Sequence, residues 1–102
     1  MKREVVEGLQ PQGTNEAIAY TVTTTPWGSA PSAPVFTLMD RGSTPWVDVT
    51  ASKASGSPSV VGDVVTTPLV AGLVEGGQYR AFVRFICKGN TLECFFDILG
   101  ER

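Results

Sequence analysis

The residues of this 102-residue chain that could do chemistry are ten carboxylates, two cysteines, a handful of cations and two tryptophans. There is no histidine. That removes the commonest general base and the commonest metal ligand, and with them serine–histidine and cysteine–histidine nucleophilic sites. Paired carboxylates could still act as acid and base. However, Glu4, Glu7, Glu16, Asp40, Asp48, Asp63, Glu75, Glu93, Asp97 and Glu101 fall mostly at turns or on faces expected to be solvated. Cys87 and Cys94 are too few for a disulfide framework and have no partners for a metal site. No glycine-rich phosphate loop with its lysine occurs. No catalytic residue, cofactor or metal is therefore expected.

The remaining candidates suit contact rather than catalysis. Trp27 and Trp46 each follow a proline and flank loops. Exposed, they could stack on sugar rings or anchor a protein contact; buried, they would cap the core. Arg80 and Arg84 are spaced to share one face of a strand with Phe82, and Phe95 lies on the matching face of the next strand. These six residues, Trp27, Trp46, Arg80, Phe82, Arg84 and Phe95, are the interaction candidates.

The elements that must position them centre on Gln78–Leu99. Side chains in a strand alternate between faces. Tyr79, Ala81, Val83, Phe85 and Cys87 form one uncharged set; Arg80, Phe82, Arg84, Ile86 and Lys88 form the other, with three cations. After a turn, Leu92, Cys94, Phe96 and Ile98 alternate with Thr91, Glu93, Phe95 and Asp97. This is a half-buried antiparallel hairpin. Gly89-Asn90 is the expected two-residue loop, of type II′. That register sets Cys87 opposite Leu92, Phe85 opposite Cys94, and Arg84 opposite Phe95 and diagonal to Glu93 and Asp97. The two thiols would then lie diagonally, about 7–8 Å apart; two reduced thiols acting as small buried hydrophobes are expected, with a cross-strand disulfide as the alternative. Phe82, Ile86 and Phe95 are surplus to a single core, so either a loop covers them or they form a contact surface.

The rest of the chain reads as shorter strands. Glu16–Thr25, Val35–Met39 and Trp46–Thr50 are expected strands, the last with Asp48 facing solvent. Trp27–Pro34 is a loop, Gly8–Asn15 a turn-rich link, and Ala51–Ser59 a flexible surface loop. Val60–Val65 is either a tight hairpin turning at Gly62-Asp63 or one bulged strand, ended by Pro68. Residues 1–9 are expected as an N-terminal arm or edge strand. Seven prolines and eleven glycines punctuate the chain at the short intervals a domain of short strands needs. With no repeat or composition break, residues 1–102 form one domain.

The formal charge is −2 and no basic cluster exists, so nucleic-acid binding is not expected. No apolar run approaches the length of a membrane helix. The N-terminal MKREVVEGLQ has no apolar stretch behind its cations, so synthesis in the cytoplasm without a signal peptide is expected, with release by assembly into something larger as the other route.

Two resemblances follow from particular residues. Leu73-Val74-Glu75-Gly76-Gly77-Gln78-Tyr79 resembles the corner before the sixth strand of fibronectin type III and related immunoglobulin-like sandwiches. It implies that the Tyr79 hydroxyl bonds back to the upstream backbone with Leu73 packed beside it. The fold expected is thus all-β: a single immunoglobulin-like, fibronectin type III-like antiparallel β-sandwich of about seven strands, with a small closed barrel as the main alternative. The Tyr-Thr-Val strand with Pro26-Trp27-Gly28, the Gly62-Asp63 turn and the Gly76-Gly77-Gln78-Tyr79-Arg80 lead into the hairpin make the whole chain similar to small phage and prophage structural proteins. That implies a non-catalytic accessory role in a head, tail or fibre, with self-association or a larger protein assembly as the partner. A carbohydrate- or ligand-binding module using Trp27 and Trp46 is the alternative.

Overall fold

The computed structural model describes residues 2–4, 10–24, 30–42 and 44–101, with residues 2–4 as backbone only. The chain is all-β, with a single short helix among the described residues. In order the elements are β1 (Lys2–Glu4), β2 (Gln10–Gly13), β3 (Thr21–Thr23), β4 (Ser32–Asp40), β5 (Val47–Asp48), α1 (Thr50–Lys53), β6 (Ala54–Ser55), β7 (Ser59–Val61), β8 (Val64–Thr66), β9 (Leu69–Val70), β10 (Gln78–Cys87) and β11 (Asn90–Glu101).

The β10–β11 hairpin is the frame, and its faces divide as alternation predicts. Tyr79, Ala81, Val83, Phe85 and Cys87 are buried, as are Cys94, Phe96 and Ile98; Arg84 and Ile86 on the other side are exposed. The register differs from the expected one by two residues. Cys87 pairs with Asn90, Phe85 with Leu92 and Val83 with Cys94. The loop is Lys88-Gly89, with φ of 50° and 80°. Two consecutive positive φ values make the type I′ turn, whose twist matches a hairpin as well as type II′ does. A slip of two leaves every side chain on its expected face. It changes the cross-strand partners, however: Arg80 stands opposite Asp97, Phe82 opposite Phe95 and Arg84 opposite Glu93. It also separates the thiols by four residues along the hairpin, about 13 Å. Both are free and buried.

β4 pairs with the other side of β10, and β5 with the end of β4, giving the order β1-β11-β10-β4-β5. β4 begins three residues earlier than expected, within the predicted loop. A bulge accommodates this: Ala33 has φ 49° and the β4–β10 register shifts between Arg84 and Ile86. The N-terminal segment corrects the purely antiparallel expectation. β1 and β2 both pair in parallel with β11, which is long enough to take one at Glu93–Phe95 and the other at Ile98–Glu101.

The second group of strands is β3-β8-β7. The Gly62-Asp63 hairpin forms, with Val61 paired to Val64. The predicted strand Glu16–Thr25 narrows to a bridge at Ile18 and β3, and Thr25 lies outside the described residues. Its partner carries an extra residue: Ile18 pairs with Val70 but Thr21 with Thr66. The excess falls at Pro68-Leu69, opposite Ala19, and proline has no N–H for a ladder. The buried Thr67 hydroxyl fills in, accepting the Tyr20 N–H at 2.9 Å. Where a flexible loop was expected at Ala51–Ser59, α1 forms instead. Asp48 Oδ1 accepts the Thr50 N–H at 2.9 Å, and Thr50 Oγ1 accepts the Leu38 N–H at 2.8 Å, tying the turn to β4. These Thr50 contacts hold the Asp48 carboxyl below its ordinary range.

Val22, Val65, Val70 and Leu73 join Phe36, Leu38 and the inner hairpin residues in one core. The corner forms as the resemblance implied: Val74 N–H donates to Tyr79 Oη at 3.0 Å, with Leu73 buried. Gln12 is the largest of the buried polar side chains among the described residues, Thr24 and Thr67 being the others. Gln12, from the expected link, donates through Nε2 to the Val70 carbonyl (2.6 Å) and the Glu16 carbonyl (3.1 Å), and its Oε1 accepts from Tyr20 Oη (2.6 Å).

Two groups tie this core to pH. Burial, with Glu16 nearby, pushes the Tyr20 hydroxyl up to about 12, and burial pushes the Cys94 thiol up to about 12. Both are neutral when protonated, and their ordinary values are 10.0 and 9.0. The unfolded chain therefore ionises first. Stability is full below pH 9 and falls as pH rises through the window up to about 12. Urea midpoints measured from pH 7 to 11 should decline above pH 9, and Cys94→Ala should flatten the first part of that decline. A flat wild-type profile would contradict the burial of both groups.

Candidate interaction face

The outer face of the β11-β10-β4-β5 sheet brings together every described residue that the sequence singled out. β10 supplies Arg80, Phe82 and Arg84; β11 supplies Phe95 between Glu93 and Asp97; Trp46 stands just before β5. Trp27, the other tryptophan candidate, lies outside the described residues.

Asp97 organises one end. Arg80 Nε donates to its Oδ1 at 2.7 Å and Nη2 to its Oδ2 at 3.2 Å, the bidentate geometry a planar guanidinium favours. Arg41 Nη1 approaches the same Oδ2 at 3.4 Å. Two cations thus share one carboxylate, and both reach over aromatic rings. The Arg80 Cζ lies 4.2 Å from the Phe95 centroid and 5.4 Å from that of Trp46; the Arg41 Cζ lies 5.2 Å from Trp46. Phe82 and Phe95 tilt together at 6.2 Å. The cation–π contacts fix the rings, and the rings shield the ion pair from water.

Trp46 is 38% exposed and does not cap the core. A shallow recess of ≈ 330 Å³ opens beside it, lined by Thr37, Met39, Phe82 and Glu93. Ile86 and Val35 add exposed apolar surface. Alternation along one hairpin could not reveal Arg41, which reads as a turn residue in Asp40-Arg41-Gly42. Its place beside Trp46 depends on how β4 and β5 pair, and no local signal carries that. Arg41 Nε is buried without a hydrogen-bond partner among the described residues.

Chemically this face offers aromatic area, oriented guanidinium groups and a carboxylate, Asp97, already held by arginine. Among the described residues no three of the acidic or cysteine side chains gather as a metal-binding group, and no helix is long and apolar enough to cross a membrane. No protein-family model matches the chain, and no curated protein matches it in sequence.

Proposed function

We propose that this is a non-catalytic structural protein that docks into a larger assembly through the outer face of its main sheet, as an accessory component of a phage or prophage-derived head, tail or fibre. The observation that carries the reading is the clustering of Trp46, Phe82 and Phe95 with three arginines on an open sheet face. Aromatic and arginine side chains are the ones that dominate protein contacts, and a solvated face has no need of them. The scaffold is read as immunoglobulin-like. Support comes from the Val74 N–H bond to the Tyr79 hydroxyl, as in the corner of that fold, and from the separate β3-β8-β7 sheet, although β6 and β9 pair as a further two-stranded sheet.

A carbohydrate module is the second reading, favoured by the exposed Trp46 beside a recess. The two guanidinium groups near its ring leave less of the indole face for a sugar to stack on, so protein docking is the better fit. The test is incorporation. Particles assembled from the chain and its neighbouring genes should contain it, and Phe82→Glu should abolish incorporation while circular dichroism stays unchanged. Equal incorporation of Phe82→Glu would overturn the assignment of this face.

A further inference from the structure

We infer that the outer face pairs with the same face of a second copy of this chain, across a two-fold axis that runs along the strands between β10 and β11. This rests on the assembly reading above and specifies its first partner.

The charge pattern selects both the partner and the axis. On this face the cross-strand pairs are Arg80 with Asp97, Phe82 with Phe95, and Arg84 with Glu93. The β10 row reads cation, aromatic, cation, and the β11 row beside it reads anion, aromatic, anion. A two-fold rotation about a line midway between the rows lays each copy's β10 over the other's β11 without moving it along the strand. Arg84 of each copy then faces Glu93 of the other, Arg80 faces Asp97, and Phe82 faces Phe95. All three pairs are complementary, and each occurs twice, as an isologous interface requires. The competing in-plane axis, across the strands at Phe82, lays each strand over itself. It sets Arg80 over Arg84 and Asp97 over Glu93, cation on cation and anion on anion.

Arg84 supports the same choice. It is exposed and, among the described residues, has no ion-pair partner, although it stands directly across from Glu93. An acid arriving from above would supply one. Size is adequate: the molecule measures 39 × 25 × 24 Å, so its broad face is of the order of the ~800 Å² per partner that a stable interface buries. Sheets packed face to face cross within about 30°. The phenylalanines at the centre would stay in register, and the arginine side chains are long enough to span the divergence toward the ends.

Sedimentation velocity on the full chain tests this with two charge reversals. Wild type should be a dimer. Arg84→Glu places two glutamates over each other at both symmetric contacts, and Glu93→Arg does the same with arginines, so each variant alone should dissociate, with affinity reduced on the order of 100-fold. Mixed in equal amounts they should form a one-to-one heterodimer, because one contact then sets Glu at 84 against Arg at 93 and the other keeps the native Arg84 against Glu93, so both are complementary. Circular dichroism confirms that each variant is folded; should one fail to fold, Arg84→Ala and Glu93→Ala replace the pair, and each should then weaken the dimer. A monomeric wild type overturns the inference, as does a dimer indifferent to these changes or a mixture that stays monomeric. A monomeric wild type that still enters particles leaves the assembly reading intact; a chain that does neither removes both.

Discussion

Phe85→Ala is expected to cost about 3–5 kcal/mol of stability, against about 0.5 kcal/mol or less for Ile86→Ala one position along the same strand. Phe85 is 1% exposed and Ile86 37%. The first faces Leu92 across the hairpin and sits in the common core; the second points outward. Removing a buried phenylalanine loses its transfer free energy and leaves a cavity that the long neighbouring strands cannot close. A domain of this length holds only roughly 5–15 kcal/mol in total, so Phe85→Ala should remove a large share of it. Urea unfolding at low protein concentration checks both variants. Equal costs at the two positions would mean that the sheet does not divide into an inner and an outer face.

Gly100→Ala should be nearly as damaging, at about 3 kcal/mol, the upper end of the usual overpacking range. Gly100 is buried in β11, opposite the corner. Its N–H donates to the Gly77 carbonyl and its carbonyl accepts the Gly76 N–H, both at 2.9 Å. A Cβ there would land on the Val74 carbonyl oxygen and approach Leu73 Cβ at 3.5 Å. The obstacle is backbone, held in place by the Val74 N–H bond to Tyr79, so it cannot swing aside as a side-chain tip would. Thermal unfolding should show a midpoint lowered by roughly 12–24 °C. A change below about 3 °C would mean that the corner does not press against β11.

The faces of the hairpin were legible because two-residue periodicity is a local signal, and a core on one side enforces it. The two-residue error in register has the same origin. Parity cannot tell Lys88-Gly89 from Gly89-Asn90, since both put Phe85 and Phe96 inside. Only the energetics of the turn decide, and lysine at φ 50° is a choice that composition does not advertise. The parallel pairing of β1 and β2, the burial of Gln12 and the approach of Arg41 to Trp46 each depend on segments far apart in the chain. A glutamine between two turn residues reads as solvent-exposed until a distant carbonyl, here that of Val70, is brought to it. The candidate face was readable on its hairpin half, from surplus phenylalanines among charges. Its Trp46 half required the fold.

The parallel seat of the first strands on the last one has a bearing on how the protein is made. Lys2 finds its pairing partner only at Glu93, and Thr14 donates to the Glu101 carbonyl at 2.6 Å. A chain emerging from the ribosome presents its amino-terminal strands long before their template exists. Phe96 and Ile98, part of the same interior, leave the exit tunnel well after those strands. Folding is therefore held back until β11 itself has been synthesised and released, and the nascent polypeptide spends that interval with its strand edges unpaired.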